Sequence, residues 1–411
     1  MKILNISNMS VWPWGEDKGI PSVFLPQRGF AARGHQVYFL CPLREGEEKY
    51  DCLDGVHVNR FDFPFNFRKV SYPQTNTFLD RIKATTLSNL NWLFFQVYAF
   101  FWGCKQGFRL KPDIVYAHTP ASVMPAFLIS RFLSSRLVVR LYGIRQLYWQ
   151  CDNFWLRLKE MRDWIAFKIP ADLFIITNDG THGDRLARRM GVPEEKIRFW
   201  RNGIDEKIYE TEEGAKEEIC SRLHINPFSR IIVSTARLNY EYGVDRLIQA
   251  LPALFEKQKD CVCIIAAGGP QEKSLKSFAQ KQNISSRIFF LGIVERVMVK
   301  KLLNAADIFV LLARYHNCTN TLWEAMACGK CIVTTENEAV KEVLASGENA
   351  ILVSQDEMNG LPGRLSELLL DERLRKKLGD KARLMAREVL RSWTQRIAEE
   401  ISVLEGLHVQ K

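Results

Sequence analysis

A single carboxylate, Glu324, stands inside a stretch that otherwise reads apolar and small, residues 317–328, NCTNTLWEAMAC. The residues before it, Asp307 to Ala313, are a continuous apolar run of strand length. After Gly329, which can end a helix, a second run begins at Cys331 and reaches Thr334. The expected order is strand, loop, helix, strand. A helix so placed points the unpaired N–H groups of its first turn at the carboxyl edge of a sheet, where α/β proteins hold anions and phosphates. Glu324 would then border a ligand pocket. The competing reading is a capping box, in which the Thr321 oxygen takes one N–H and Glu324 reaches back three residues to satisfy another. Spacing alone favours the capping box.

Other residues invite similar weighing. Gly268 and Gly269 follow the apolar run Ile264–Ala267, so the backbone there can approach a ligand closely or simply turn. His118 ends an apolar run and either contacts a substrate or is satisfied by backbone. Cys328 and Cys331 form one CxxC, but no second pair or histidine follows at zinc-binding spacing, and no metal site is expected.

The 411 residues suit two domains, and a composition 47% hydrophobic and 25% charged is that of a globular protein. The opening residues read as one short strand rather than a secretory signal, which predicts a cytoplasmic protein. Ten cysteines at irregular spacing, several inside apolar runs, predict free buried thiols. The net charge of +10 calls for an anionic partner. The basic residues are spread along the chain without a dense aromatic-interleaved cluster, which argues against nucleic acid. Residues 90–103, LNWLFFQVYAFFWG, are too short to span a bilayer; they read as a buried helix or as one lying in a membrane interface, with the buried helix favoured.

Two βα series divide the chain. The first opens with the strand Lys2–Ser7, a loop bearing Gly15 and Gly19, a helix ending near Arg33, and the strand Gln36–Cys41. Runs at Asp113–Ala117, Arg136–Leu141 and Ala171–Thr177 continue it. Residues 198–210 read as a polar, turn-rich connection. A fresh series begins at Arg230 and runs through 262–267, 288–291, 308–312 and 331–334; residues 364–405 read as helical. The expected architecture is α/β: two Rossmann-like doubly wound parallel-sheet domains, at 1–200 and 201–385, facing a cleft, with a final helix over 386–411.

The second half resembles the GT-B retaining glycosyltransferases of family four. Six motifs occur in family order: Asn202 to Asp205, Ala236 to Ala250, Gly268 to Pro270, Leu291 to Val294, Ala306 to Val310, and Glu324 to Val333. The first half matches more loosely, through Gly19, the turn at Arg33 to His35, and the strand at Asp113. The resemblance implies that the last helix crosses back to the first domain, that this domain binds the acceptor, and that the second binds a nucleoside-diphosphate sugar. It implies that Glu324 binds the ribose hydroxyls and that Arg237 faces the diphosphate. It implies that backbone at Ile293 and Val294 meets the base, and that His316, Thr319, Asn320 and Thr321 touch diphosphate and sugar. Gly19, Gly268 and Gly269 complete the expected donor site; Arg237, Glu324, His118 and Tyr142 are the expected catalytic set.

Three positions depart from the family pattern: Tyr242 stands where a lysine often pairs with the arginine, His316 replaces a second glutamate, and Tyr142 replaces a histidine. No Asp-x-Asp pair occurs, so the expected reaction uses neither metal nor cofactor, with leaving-group charge met by Arg237, helix amides and Lys18. The implied activity is sugar transfer to a lipid-linked, polysaccharide or other glycan acceptor, by a peripheral protein on the cytoplasmic face of an anionic membrane. A catalytically silent nucleotide-sugar-binding subunit and a GT-B epimerase remain the alternatives.

Overall fold

The computed structural model describes residues 1–9, 21–66, 78–144, 161–314 and 318–409. Among them the chain forms two compact units. The first comprises Met1–Asn178, His182–Gly203 and Trp393–Lys411; the second comprises Ile204–Ser392 together with Asp179–Thr181.

The first unit is built on an eight-stranded sheet. Its strands are β1 (Lys2–Ser7), β2 (Gln36–Pro42), β3 (Tyr50–Leu53), β4 (Val56–Phe61), β5 (Ile114–His118), β6 (Arg136–Leu141), β7 (Leu173–Thr177) and β8 (Ile197–Trp200). They lie in the order β3-β4-β2-β1-β5-β6-β7-β8, parallel except for β3 against β4. The inner strands are nearly continuous apolar runs because helices cover both faces; Ile3, Leu4 and Ile6 of β1 are wholly buried. Strand β8 corrects the expected connection at 198–210. The backbone pairs Phe174 with Ile197 and Thr177 with Trp200 before it turns, so an edge strand occupies the start of that polar stretch.

The second unit carries six parallel strands: β9 (Arg230–Ser234), β10 (Cys261–Ile265), β11 (Ile288–Phe290), β12 (Ile308–Leu311), β13 (Cys331–Thr335) and β14 (Ile351–Val353). Their order is β11-β10-β9-β12-β13-β14. This is the doubly wound order in which the sheet grows one way from its first strand and then reverses, leaving a crevice at the carboxyl ends of β9 and β12. Each unit is thus a parallel-sheet α/β domain.

The helical region at 364–405 is broken into three helices, Leu361–Leu370, Glu372–Val389 and Trp393–Val409. Leu390 leaves helical backbone at φ −102°, ψ 143°, so the last helix starts at Trp393 rather than at 386. It belongs to the first unit, and its inward face explains why. Glu400 accepts a hydrogen bond from the Tyr116 hydroxyl at 2.6 Å and one from Arg396 at 2.9 Å, and the Arg140 guanidinium lies 3.6 Å away. All four side chains are buried. Burial and the Glu400 charge push the Tyr116 phenol well above its usual range, so it stays a donor. Arg396 also stacks on Trp200, 4.0 Å from the ring centre. One carboxylate therefore compensates two buried guanidinium groups. Replacing it, as in Glu400→Gln, is expected to cost about 3–5 kcal/mol of stability in urea unfolding, the range for an uncompensated buried charge; a loss below about 1 kcal/mol would show that the pairing is dispensable.

Candidate functional site

The crevice of the second sheet is lined by the loops that leave β9, β10, β11 and β12. The β9 loop carries Arg237, which is exposed and whose guanidinium makes no hydrogen bond or ion pair among the described residues. Its backbone is held from beneath. The Leu238 amide donates to the Gly268 carbonyl at 3.1 Å, and the Leu238 carbonyl accepts from the Gln271 amide at 3.0 Å. A side chain at Gly269 would collide with the Leu238 carbonyl, so the second glycine of the pair exists to let one loop lie directly on the other. At Gly268 a Cβ would meet Ile293 Cγ1 at 2.8 Å. Ile293, from the β11 loop, is 58% exposed above that glycine, with Val294 partly buried behind it. Gly268, Gly269, Arg237 and Ile293 are therefore assembled into one patch, apolar on one side and cationic on the other.

Farther along the β9 loop, Tyr242 packs against the buried core of the unit. Arg314, just beyond β12, clamps the same loop. Its guanidinium donates to Asp245 at 2.7 and 2.5 Å and to the Tyr240 carbonyl at 2.8 Å, and it lies 4.0 Å from the Tyr240 ring centre.

The helix after β12 runs from Asn320 to Ala327. Its N-cap is Thr319, whose hydroxyl accepts from the Leu322 amide and lies 2.8 Å from the Thr321 hydroxyl. This overturns the capping-box reading. With Thr319 as the cap, the residue three positions on is Leu322, and Glu324 is too deep in the helix to reach back. Leu322, Trp323, Ala325, Met326 and Ala327 are buried, while Glu324 alone on that turn keeps part of its surface open. Its carboxyl has no hydrogen-bond partner among the described residues. Burial pushes it up from 4.5 to about 7, the Arg296 charge partly offsetting this and Asp205 adding to it. A half-buried carboxylate without a donor leaves its oxygens able to accept from hydroxyl groups.

Gly19, Lys18 and His316 lie outside the described residues. In the first unit, His118 is the last residue of β5 rather than part of a loop, and it is fully buried. Its Nε2 lies 2.8 Å from Asn5 Oδ1 and its Nδ1 lies 2.6 Å from the Tyr142 hydroxyl. Asn5 Nδ2 donates to the Tyr38 carbonyl, so its Oδ1 must accept; His118 then carries its proton on Nε2 and takes the Tyr142 O–H at Nδ1. Burial, with Arg140 nearby, lowers the imidazole to about 3, so it stays neutral. His118 thereby holds Tyr142 in place, and Arg140 lies 5.4 Å from the Tyr142 ring centre. Sequence reasoning missed Arg140, Arg396 and Glu400. The signal was a guanidinium inside the apolar run Leu137–Leu141, which demands a buried counter-charge. Cys328 and Cys331 are buried, and burial pushes both thiols up to about 12.

Comparison with known proteins agrees with the fold. The profile for "Glycosyl transferases group 1" matches residues 215–385, and that for "Glycosyltransferase Family 4" matches 27–207. An alpha-D-kanosaminyltransferase of Streptomyces kanamyceticus is 22% identical over 292 residues, 68% of this chain and 75% of that protein. The aligned stretches cover between 59% and 75% of the lengths of the first curated relatives matched. Among solved structures, sucrose-phosphate synthase from Thermosynechococcus elongatus superposes with a TM-score of 0.75 at 15% identity, covering all of both chains. The Anabaena protein HepE, solved with UDP-glucose, superposes with a TM-score of 0.70 at 18% identity, over 98% of this chain and 100% of that one.

The Glu324 carboxyl fixes a pH dependence with a definite sign. A carboxyl raised in the folded state binds its proton where the unfolded chain has lost it, so stability falls as pH climbs from 4.5 toward 7 and the penalty is complete above that. Glu324→Gln is therefore expected to melt higher than the parent at about pH 8 and to lose that advantage near about pH 4 in thermal unfolding. Equal melting points at both would mean that the carboxylate is not held in a costly environment.

Proposed function

Because the chain belongs to the GT-B glycosyltransferases of family four, we propose that it transfers a sugar from a nucleoside diphosphate to a glycan acceptor, with the donor bound at the carboxyl edge of its second sheet. The observation that carries this reading is Glu324, a partly open carboxylate raised to about 7 with no donor of its own. The ribose hydroxyls supply those donors. The base rests on the ledge of Ile293 and Val294 over Gly268, and the diphosphate runs toward Arg237 and the N-terminus of the Asn320–Ala327 helix, whose leading dipoles favour anions. HepE, which shares the fold, was solved with UDP and with UDP-glucose, which supports a nucleoside diphosphate as the leaving group.

In the transfer, the bond between the anomeric carbon and the diphosphate breaks, the diphosphate leaves with the electron pair, and the acceptor hydroxyl oxygen takes its place and passes its proton to the departing diphosphate. Arg237 offsets the charge on the departing diphosphate, a role suited to a fixed cation at an otherwise apolar ledge. Retention of configuration, independence from metal ions and other cofactors, and a lipid-linked or polysaccharide acceptor held by the first unit are parts of this proposal. So is a cytoplasmic location at the membrane face. A silent nucleotide-sugar-binding subunit is the second reading, favoured by Tyr242, which packs into the core where a lysine would reach the diphosphate.

A thermal-shift panel of UDP, GDP, ADP, TDP and their common sugars tests the donor claim. One nucleotide-sugar is expected to raise the melting point by mass action, and Arg237→Ala to weaken it by roughly ten- to a hundredfold, the loss of one charge-assisted contact. No shift with any donor would refute the donor reading. Binding without release of the nucleoside diphosphate, with or without acceptor, would favour the silent subunit.

A further inference from the structure

The helix Phe78–Leu110 is amphipathic in an unusual sense. One side packs inward through Phe95 and Ala99 and, farther on, through Gly103 and Gly107, where a Cβ would run into Ile129 and Leu133 of the next helical segment. That close approach brings the helix against Pro120–Phe132. The outer side of the pair carries Leu93, Val97, Phe101, Phe108, Leu128 and Phe132, all exposed, with Phe101 at 66%, Phe108 at 58% and Phe132 at 61%. On the long helix these positions fall within roughly 80° of its circumference. Phe108 and Phe132 meet edge to face at 5.4 Å, which joins the two helices into one apolar surface.

The two helices and the turn after the first bring cations to the rim of this surface. Lys105, Arg109, Lys111 and Arg131 are exposed beside the phenylalanines. No aspartate or glutamate occurs from residue 81 to 112 or from 114 to 151. The Lys105 ammonium lies 4.8 Å from the Trp102 ring centre and the Arg131 guanidinium 5.4 Å from that of Phe127, so aromatic rings of the same helices hold these two cations at the surface. Among the described residues no helix is long and apolar enough to cross a membrane. An exposed band of aromatics bordered by these cations fits a layer whose surface is anionic and whose interior is hydrocarbon. A second copy of this chain fits poorly, since a two-fold contact would set these cations against their equivalents.

We propose that this two-helix face is the membrane-docking surface, lying in the interface of an anionic bilayer with Phe101, Phe108 and Phe132 inserted and Lys105, Arg109, Lys111 and Arg131 on the headgroups. The inference rests on the reading of a membrane-carried acceptor and names the surface that would reach it. The test is co-sedimentation of the purified full chain with vesicles of phosphatidylcholine alone and of phosphatidylcholine mixed equally with phosphatidylglycerol. Strong binding to the mixed vesicles and weak binding to the neutral ones are expected. Lys105→Glu with Arg109→Glu should weaken the former by roughly fivefold or more for each cation reversed. Phe101→Glu with Phe108→Glu should abolish it. Both variants should keep the melting behaviour and nucleotide-sugar shift of the parent, which separates a docking failure from misfolding or from failure of the donor reading. No binding to the mixed vesicles, or binding undiminished in both variants, would overturn the proposal. So would a dimer that the phenylalanine variant dissolves in a protein without vesicle affinity, which would assign the face to a second copy.

Discussion

In a parallel sheet every strand ends on the same edge, and where the strand order reverses, the loops leaving two adjacent strands part in opposite directions. The second unit obeys this constraint at β9 and β12, and its candidate site follows from it. Arg237 leaves β9 one way, and Thr319 to Glu324 leave β12 the other. The remaining site features serve to fix those two loops. Gly269 lets the β10 loop support the Leu238 carbonyl, and Arg314 ties the β9 loop to the chain beyond β12 through Asp245 and the Tyr240 carbonyl. A site of this type needs backbone held at close quarters, which is why glycines and a clamped arginine surround it rather than a dense array of titratable groups.

Within that frame Glu324 is a cost. Its helix would be more stable with a neutral side chain at this position, because the carboxyl is removed from water and the Arg296 charge only partly compensates. A protein that retains such a group without a partner is holding an acceptor in reserve. The first unit handles its buried charges differently. Glu400 there is fully paired with Tyr116 and Arg396 and lies beside Arg140, and it draws Trp393–Val409 into the unit. The two carboxylates thus differ in kind: Glu400 is satisfied within the fold, and Glu324 is not.

Much of this was legible beforehand, and the misses have physical causes. Strands buried on both faces read directly as apolar runs; β1 and β6 match the expected Lys2–Ser7 and Arg136–Leu141 to the residue. Edge strands have one solvated side and polar neighbours, so β3 and β14 leave no apolar run in the sequence and β8 reads as part of a turn-rich connection; β4, paired on both sides, alternates apolar and polar residues and is equally hard to read. The helix bearing Glu324 lies where the sequence places it but its cap does not, because the Thr319 and Thr321 hydroxyls are equally good acceptors for the N–H groups of an N-terminus and only backbone geometry chooses between them. The network of Tyr116, Arg140, Arg396 and Glu400 was beyond reach, since its members stand as much as 284 residues apart. The segment 90–103 is core on one side only. Phe95 and Ala99 are core, while Leu93, Val97 and Phe101 on the opposite side are exposed.

The central claim is that the Glu324 carboxylate accepts the ribose hydroxyls of a nucleoside diphosphate, and calorimetric titration with UDP and its 2′,3′-dideoxy analogue, or the same pair for whichever base binds, tests it most directly. Removing the hydroxyls should weaken binding to the parent protein by roughly ten- to a hundredfold and make little further difference in Glu324→Ala, because the two changes delete one interaction. Independent, additive losses from the analogue and the substitution would contradict the account.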